Sequence, residues 1–235
     1  MYNHRPRKHH TIKKGTIMNA YLKKTIATLS LAASLALTGC VSTELKTNDK
    51  YELPIEFSTS SPAMIFPVSL HGVPGNKTEV GLAITAGVAG KYGASVISAQ
   101  QLYSTVGNLS WTLGESIRRG ANKGDYKINT YGQKIATDLQ YSMDKLTKAL
   151  KSSGAIKDKN FSFENVIVLH VDSSGGIPVP GVRRVTAFGG IINVKNLEVV
   201  SYIEKDLVLA NDHDSILAQM PLEMNAIVEE LTGKI

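Results

Sequence analysis

The sequence predicts an α+β fold in a single domain, a mixed sheet ending in an antiparallel C-terminal meander and packed by helices. Three observations point there. Between Gln133 and Lys151, Ile135, Leu139, Met143, Leu146 and Leu150 recur at helical spacing, and Ser153-Gly154 stops the run. Three β-rich stretches then follow in close succession: Asn165 to Val171, Val182 to Val194 and Leu197 to Ile203. Strands and helices are segregated along the chain rather than alternating regularly, which favours α+β over a doubly wound sheet.

Taken in order, Met64 to Val73 reads as a first strand that Pro67 demotes to an edge or a bulge, because proline cannot donate to a ladder. Gly72, Pro74 and Gly75 form a turn. Thr78 to Tyr92 reads as a helix on Val80, Ile84 and Val88, weakened by Gly81, Gly87 and Gly90 and capped by Gly93. Ser95 to Ser98 is a short strand, and Gln100 to Arg119 a helical stretch interrupted by Gly107 and Gly114. Lys195-Asn196 makes the tight turn between the last two strands. Ser215 to Leu231 closes the chain as a helix broken at Pro221, which would open its second half.

Charge separates the chain into two parts. The formal charge is +6, but residues 1–39 carry seven basic residues and no acidic one, while from Cys40 onward 19 basic residues face 20 acidic ones. The body is therefore near neutral, and no nucleic-acid partner is expected of it. One Cys excludes an internal disulfide framework and multi-cysteine metal knuckles. From Met18, Lys23 and Lys24 precede the apolar stretch Thr25 to Leu37, too short for a stable membrane span but suited to a secretory signal. It ends in Leu37-Thr38-Gly39-Cys40.

This stretch resembles the signal and lipobox of bacterial lipoprotein precursors: an aliphatic residue, two small ones, then Cys. The resemblance spans Met18 to Cys40 and matches at all four lipobox positions. It implies cleavage before Cys40 and lipidation of its sulfur, the thiolate being the nucleophile that takes the diacylglyceryl group, then acylation of the new amino group by a fatty acid such as palmitate. The signal region is 1–39, with 1–17 read as an over-extended start or a long basic leader. Residues 40–62 then read as the lipidated Cys40 and a flexible tether, rich in Ser, Thr and charge and interrupted by Pro54 and Pro62. The globular domain is expected over 63–235. Val41 stands where an Asp would retain an enteric lipoprotein in the inner membrane, so the analogy favours the outer one.

The order of elements also resembles the small α/β domain of envelope lipoproteins. Examples are the curli-secretion lipoprotein, the outer-membrane activators of penicillin-binding proteins, and the N-terminal domain of the Tol-system β-propeller protein. Val96 to Leu102, a strand running into a helix, and the hairpin Ile191 to Tyr202 with its closing helix carry that likeness.

Candidate chemistry is sparse. Gly72-Val73-Pro74-Gly75-Asn76-Lys77-Thr78 and Gly87-Val88-Ala89-Gly90-Lys91-Tyr92 approach a phosphate loop, but Asn76 interrupts the first and Tyr92 replaces the hydroxyl of the second. A turn and a close-packed helix account for them. His170 and Asp172 lie two apart on a strand, hence on one face, and Ser173-Ser174 follows; a hydrolase would need these groups to converge, and no Gly-x-Ser-x-Gly elbow occurs. Asn211-Asp212-His213-Asp214 reads as a helix cap, with a divalent-ion site as the alternative. Arg118-Arg119, Lys123 and Arg183-Arg184 are solvated faces or a rim for an anionic partner. The loop Gly175 to Gly181, with Pro178 and Pro180, is extended and open to a partner peptide.

No cofactor or metal is assigned. The expectation is a lipid-anchored periplasmic accessory or scaffolding protein of a bacterial envelope assembly, on the membrane through Cys40, acting by binding to an envelope protein. The alternative is a lipid-tethered hydrolase using His170 and Asp172.

Overall fold

The computed structural model describes residues 43–100, 109–121, 123–127, 163–173 and 180–234, with scattered positions between 137 and 152. The described positions of that last stretch are helical, and the remainder of the expected helix from Gln133 to Lys151 lies outside the described residues. Residues 41–235 form one compact unit.

Among the described residues, seven strands and three bounded α-helices make an α+β domain. The strands are β1 (Thr43–Thr47), β2 (Ala63–Ile65), β3 (Ser69–Leu70), β4 (Val96–Ser98), β5 (Asn165–Ser173), β6 (Val182–Asn193) and β7 (Glu198–Ala210). The helices are α1 (Lys77–Tyr92), α2 (Leu109–Ala121) and α3 (His213–Thr232). The sheet runs β1-β7-β6-β5-β2-β4, with β3 also beside β5. β5, β6 and β7 form the expected antiparallel meander, whereas β2, β3 and β4 run parallel to their neighbours. Asn193 organises the last turn: its side chain accepts from the amides of Lys195 and Asn196, and Leu197 takes a left-handed φ of 54°.

β2 and β3 are one strand interrupted at Pro67. Met64 and Ile65 pair with Val166 and Ile167, and Ser69 and Leu70 with His170 and Val171, so one extra residue stands on the proline side. The freed Pro67 carbonyl accepts from the Ser110 hydroxyl of α2 at 2.6 Å.

Strand alternation then sorts the core into two layers. Ile167, Leu169 and Val171 of β5 face α1 and α3, where Val80, Ile84, Val88, Met220, Met224 and Ile227 pack. Val166 and Val168 face α2, with Met64, Phe66, Leu113, Ile117 and Tyr202.

Two expectations are corrected. The flexible tether over 40–62 is instead ordered structure from Thr43 onward. β1 pairs antiparallel with β7, Thr43 opposite Lys205 and Thr47 opposite Ser201. The following strap packs Tyr51, Ile55 and Phe57 on the core, and the Ile55 amide donates to the Thr232 carbonyl. Polar side chains suit an edge strand that shows its outer row to water, and backbone pairing needs no apolar residue. The second correction concerns the closing helix, which is continuous through Pro221. Pro221 and Leu217, whose carbonyl loses its intrahelical donor, are both half-buried rather than sealed in the core, while Met220, Met224, Ile227 and Leu231 hold the helix on the sheet.

Candidate functional site

A cleft of about 530 Å³ lies at the carboxyl ends of β3 and β4. Its walls come from four places in the chain. Ser69, Leu70 and His71 arrive on β3 and just beyond it; Lys77 and Thr78 open α1; Gln100 follows β4; Trp111 and Thr112 lie in the first turn of α2. The turn joining β3 to α1 needs its glycines: Gly75 has φ 87°, and a Cβ there would stand 2.4 Å from the His213 ring. Arg183 donates to the Gly72 carbonyl and fixes the turn against β6. Asn76 then caps α1, its side chain accepting from the Glu79 amide and its carbonyl from the Val80 amide.

Beneath the cleft lies a ladder of rings. His71 and Trp111 are 6.0 Å apart between centroids, and each meets His170 edge-on, at 5.8 and 6.5 Å. His170 stacks on Phe188 at 5.2 Å, and the Arg118 guanidinium lies 5.6 Å from the Phe188 centroid, held by Glu115 at 3.1 Å. Gly114 makes room for this ladder, since a Cβ there would stand 3.3 Å from the His170 Cβ. His170 is fully buried, and neither ring nitrogen has a hydrogen-bond partner among the described residues. Burial pushes its pKa down to about 4; Asp172 pulls the other way, and the nearby Ser69 carbonyl does so too without reaching hydrogen-bond geometry. The imidazole is therefore neutral at physiological pH.

This placement removes the basis for a His170–Asp172 hydrolase. The two share a face of β5 as expected, but the Asp172 carboxylate accepts from the Ser173 amide at 2.8 Å and makes no hydrogen bond to the imidazole. A base that is buried, undirected and stacked on Phe188 has no route to a substrate proton.

Other sequence-predicted residues fall as follows. Asp212 caps α3, accepting from the Ser215 amide at 2.8 Å, and that bond holds its carboxyl below the ordinary range. His213 turns instead to Glu79, at 3.2 Å. Among the described residues no three His, Cys, Asp or Glu side chains converge on a common point. Cys40 and residues 174–179 of the proline loop lie outside the described residues. Nothing in the sequence marks Gln100 as a site residue, and Trp111 stands out there only as the chain's one Trp; its 40% exposure is visible in the structure alone.

No family model matches the sequence, and no curated protein matches it. Among solved structures, a PelC dodecamer from Paraburkholderia phytofirmans is similar to 82% of this chain over 98% of its own, at 9% identity and a TM-score of 0.42. A variant of that protein in another crystal form covers 81% and 98%, again at 9% and 0.42. Lipoprotein GNA1162 from Neisseria meningitidis covers 73% and 99%, at 16% identity and a TM-score of 0.33. Superpositions this loose carry no argument about function, so the functional reading rests on this chain's own residues.

Proposed function

We propose that this protein is a lipid-anchored accessory protein of the bacterial cell envelope, held at the periplasmic face of the outer membrane through Cys40 and acting by binding an envelope partner. The observation that carries the reading is the juxtaposition of Leu37-Thr38-Gly39-Cys40 with β1, which begins at Thr43. Three Cα steps separate Cys40 from Thr43, a span of at most about 11 Å. A lipid on Cys40 would thus hold the domain against the headgroups rather than at the end of a long leash. Among the described residues no helix is long and apolar enough to cross a membrane. Two or three acyl chains suffice, since each buried methylene contributes about 0.8 kcal/mol. Binding is preferred over covalent chemistry because His170, the residue on which the hydrolase reading depends, is sealed beneath the cleft.

Cell fractionation tests the proposal. Wild-type protein should stay with outer membranes through an alkaline wash, and Cys40→Ala protein should leave the outer-membrane fraction. Wild-type protein released by the wash would contradict the anchor, and recovery with inner membranes would contradict the outer-membrane assignment.

A further inference from the structure

We infer that β1 is the contact strand of a homodimer, in which the β1 strands of two copies of this chain pair antiparallel about a two-fold axis at Leu45. β1 is one edge of the sheet. On its inner side it pairs with β7, and just past its end the Asn48 amide donates to the Val200 carbonyl at 3.0 Å. In an antiparallel ladder the backbone groups of alternate residues point the same way, so Glu44, Lys46 and Asn48 turn theirs toward β7. The amides and carbonyls of Thr43, Leu45 and Thr47 therefore point outward, and among the described residues no backbone group meets them. Such a row is a template for another strand, and proteins usually blunt it with proline, a bulge or lysine. Thr43–Thr47 has no proline and an unbroken register, and its Lys46 is paired with Glu44 at 3.1 Å.

Charge selects both the occupant and the register. Set about Leu45, the order Thr-Glu-Leu-Lys-Thr is its own complement. Glu44 of each copy faces Lys46 of the other, Thr43 faces Thr47, and the two Leu45 side chains meet at the axis. Thr43, Leu45 and Thr47 of each copy then both donate and accept across the join. Sliding the second strand by one ladder step either way sets Glu44 against Glu44 or Lys46 against Lys46, and like charges directly opposite are destabilising. Glu44 has a side chain 66% exposed, open to an incoming strand. Leu45 is the strand's one large apolar residue and is 41% exposed; its mate would cover it. An unrelated strand would gain nothing from this symmetry, whereas a second copy matches it at every position. The inference rests on β1 alone and stands whether or not Cys40 is lipidated.

The full chain is made in cells with Leu45→Cys and oxidised mildly, and non-reducing gels read the dimer. Residues paired across the axis in this way lie about 5.5 Å apart between Cα atoms, within disulfide reach. Leu45→Cys should link into a dimer and wild-type chain should not. Thr43→Cys alone should not link, since the two copies of position 43 stand about 13 Å apart. Thr43→Cys co-expressed with Thr47→Cys should link. Sedimentation of the purified full chain in detergent then gives the dissociation constant. Glu44→Lys or Lys46→Glu alone should weaken the dimer about tenfold, because each turns attraction into repulsion on both sides of the axis. Mixing these two variants should restore it, since each supplies the charge that the other lacks. Wild-type protein that sediments as a monomer at every concentration would overturn the inference. So would Thr43→Cys linking alone as efficiently as Leu45→Cys, a link from Leu45→Cys to a different protein in place of a second copy, or a dimer indifferent to both charge reversals.

Discussion

The His170 imidazole lies stacked on the Phe188 ring, 5.2 Å between centroids and 14° between planes, in the layer between β5 and α2. A histidine held this way behaves as a core aromatic that carries a latent charge. The relationship makes His170 a stability element and explains why the cleft above it is a poor place for general-base chemistry.

Acid should therefore weaken the fold through His170. Its folded pKa, about 4, lies below the ordinary histidine value of 6.5, so the unfolded chain takes the proton first. The contribution is fully present above pH 6.5 and is lost as the pH falls toward 4, by up to about 3 kcal/mol. Asp172 and Glu115 favour the charged form, and His71 opposes it. Denaturant midpoints across this range should fall for the wild type and flatten for His170→Leu, which keeps the volume but cannot titrate. The same substitution should leave complementation of a deletion strain intact. An unchanged slope would show that another group drives the acid response; loss of complementation at normal protein level and stability would make His170 chemical.

The strap before β2 should contribute to stability rather than trail from the domain. A chain beginning at Ala63 loses β1, the half-buried Tyr51, Ile55 and Phe57, and the Phe57–Tyr92 edge contact at 5.7 Å. Partial burial of three such side chains is worth about 3 kcal/mol, or about 6–12 °C in melting temperature. Calorimetry of the two chains decides it: equal melting temperatures would return the segment to the role of a loose tether.

Gly189 should resist any side chain. A Cβ there would stand 2.6 Å from Ile227 Cγ2 and 2.8 Å from Leu231 Cδ1, where α3 presses on β6. Gly189→Ala should cost about 2 kcal/mol through overpacking, read as a lower denaturant midpoint, whereas Gly90→Ala, with open space around it, should cost nothing or stabilise α1. Equal effects at the two sites would mean that α3 is not seated on β6 as described.

Local signals were legible where one short stretch settles its own conformation. The bulge at Pro67, the cap at Asp212, the turn at Asn193 to Asn196 and the hairpin strands all follow from residues within a few positions of one another. The strap was not legible, because β1 finds its partner on β7, with Lys46 opposite Tyr202 in the same ladder, and its Thr, Glu and Lys side chains resemble those of any solvated linker. The helix through Pro221 departs from its local signal for a similar reason: tertiary packing of Met220 and Met224 outweighs a local break. The cleft needs Ser69, Lys77, Gln100 and Trp111 from four separate elements, and only the fold brings them together. What singled out Lys77 in the sequence was a near match to a phosphate loop; the structure makes that stretch a capped helix start, which is the part of the resemblance with physical content.

The most direct test of the central claim is the intact mass of the mature N-terminal peptide from cells making the full chain. The account predicts a chain beginning at Cys40, the only thiol in the sequence, carrying a diacylglyceryl thioether and an acylated amino group. Cys40→Ala should accumulate as uncleaved precursor, since no second cysteine can take the lipid. A free Cys40 thiol in wild-type protein, or a mature chain starting at any other residue, would contradict the account.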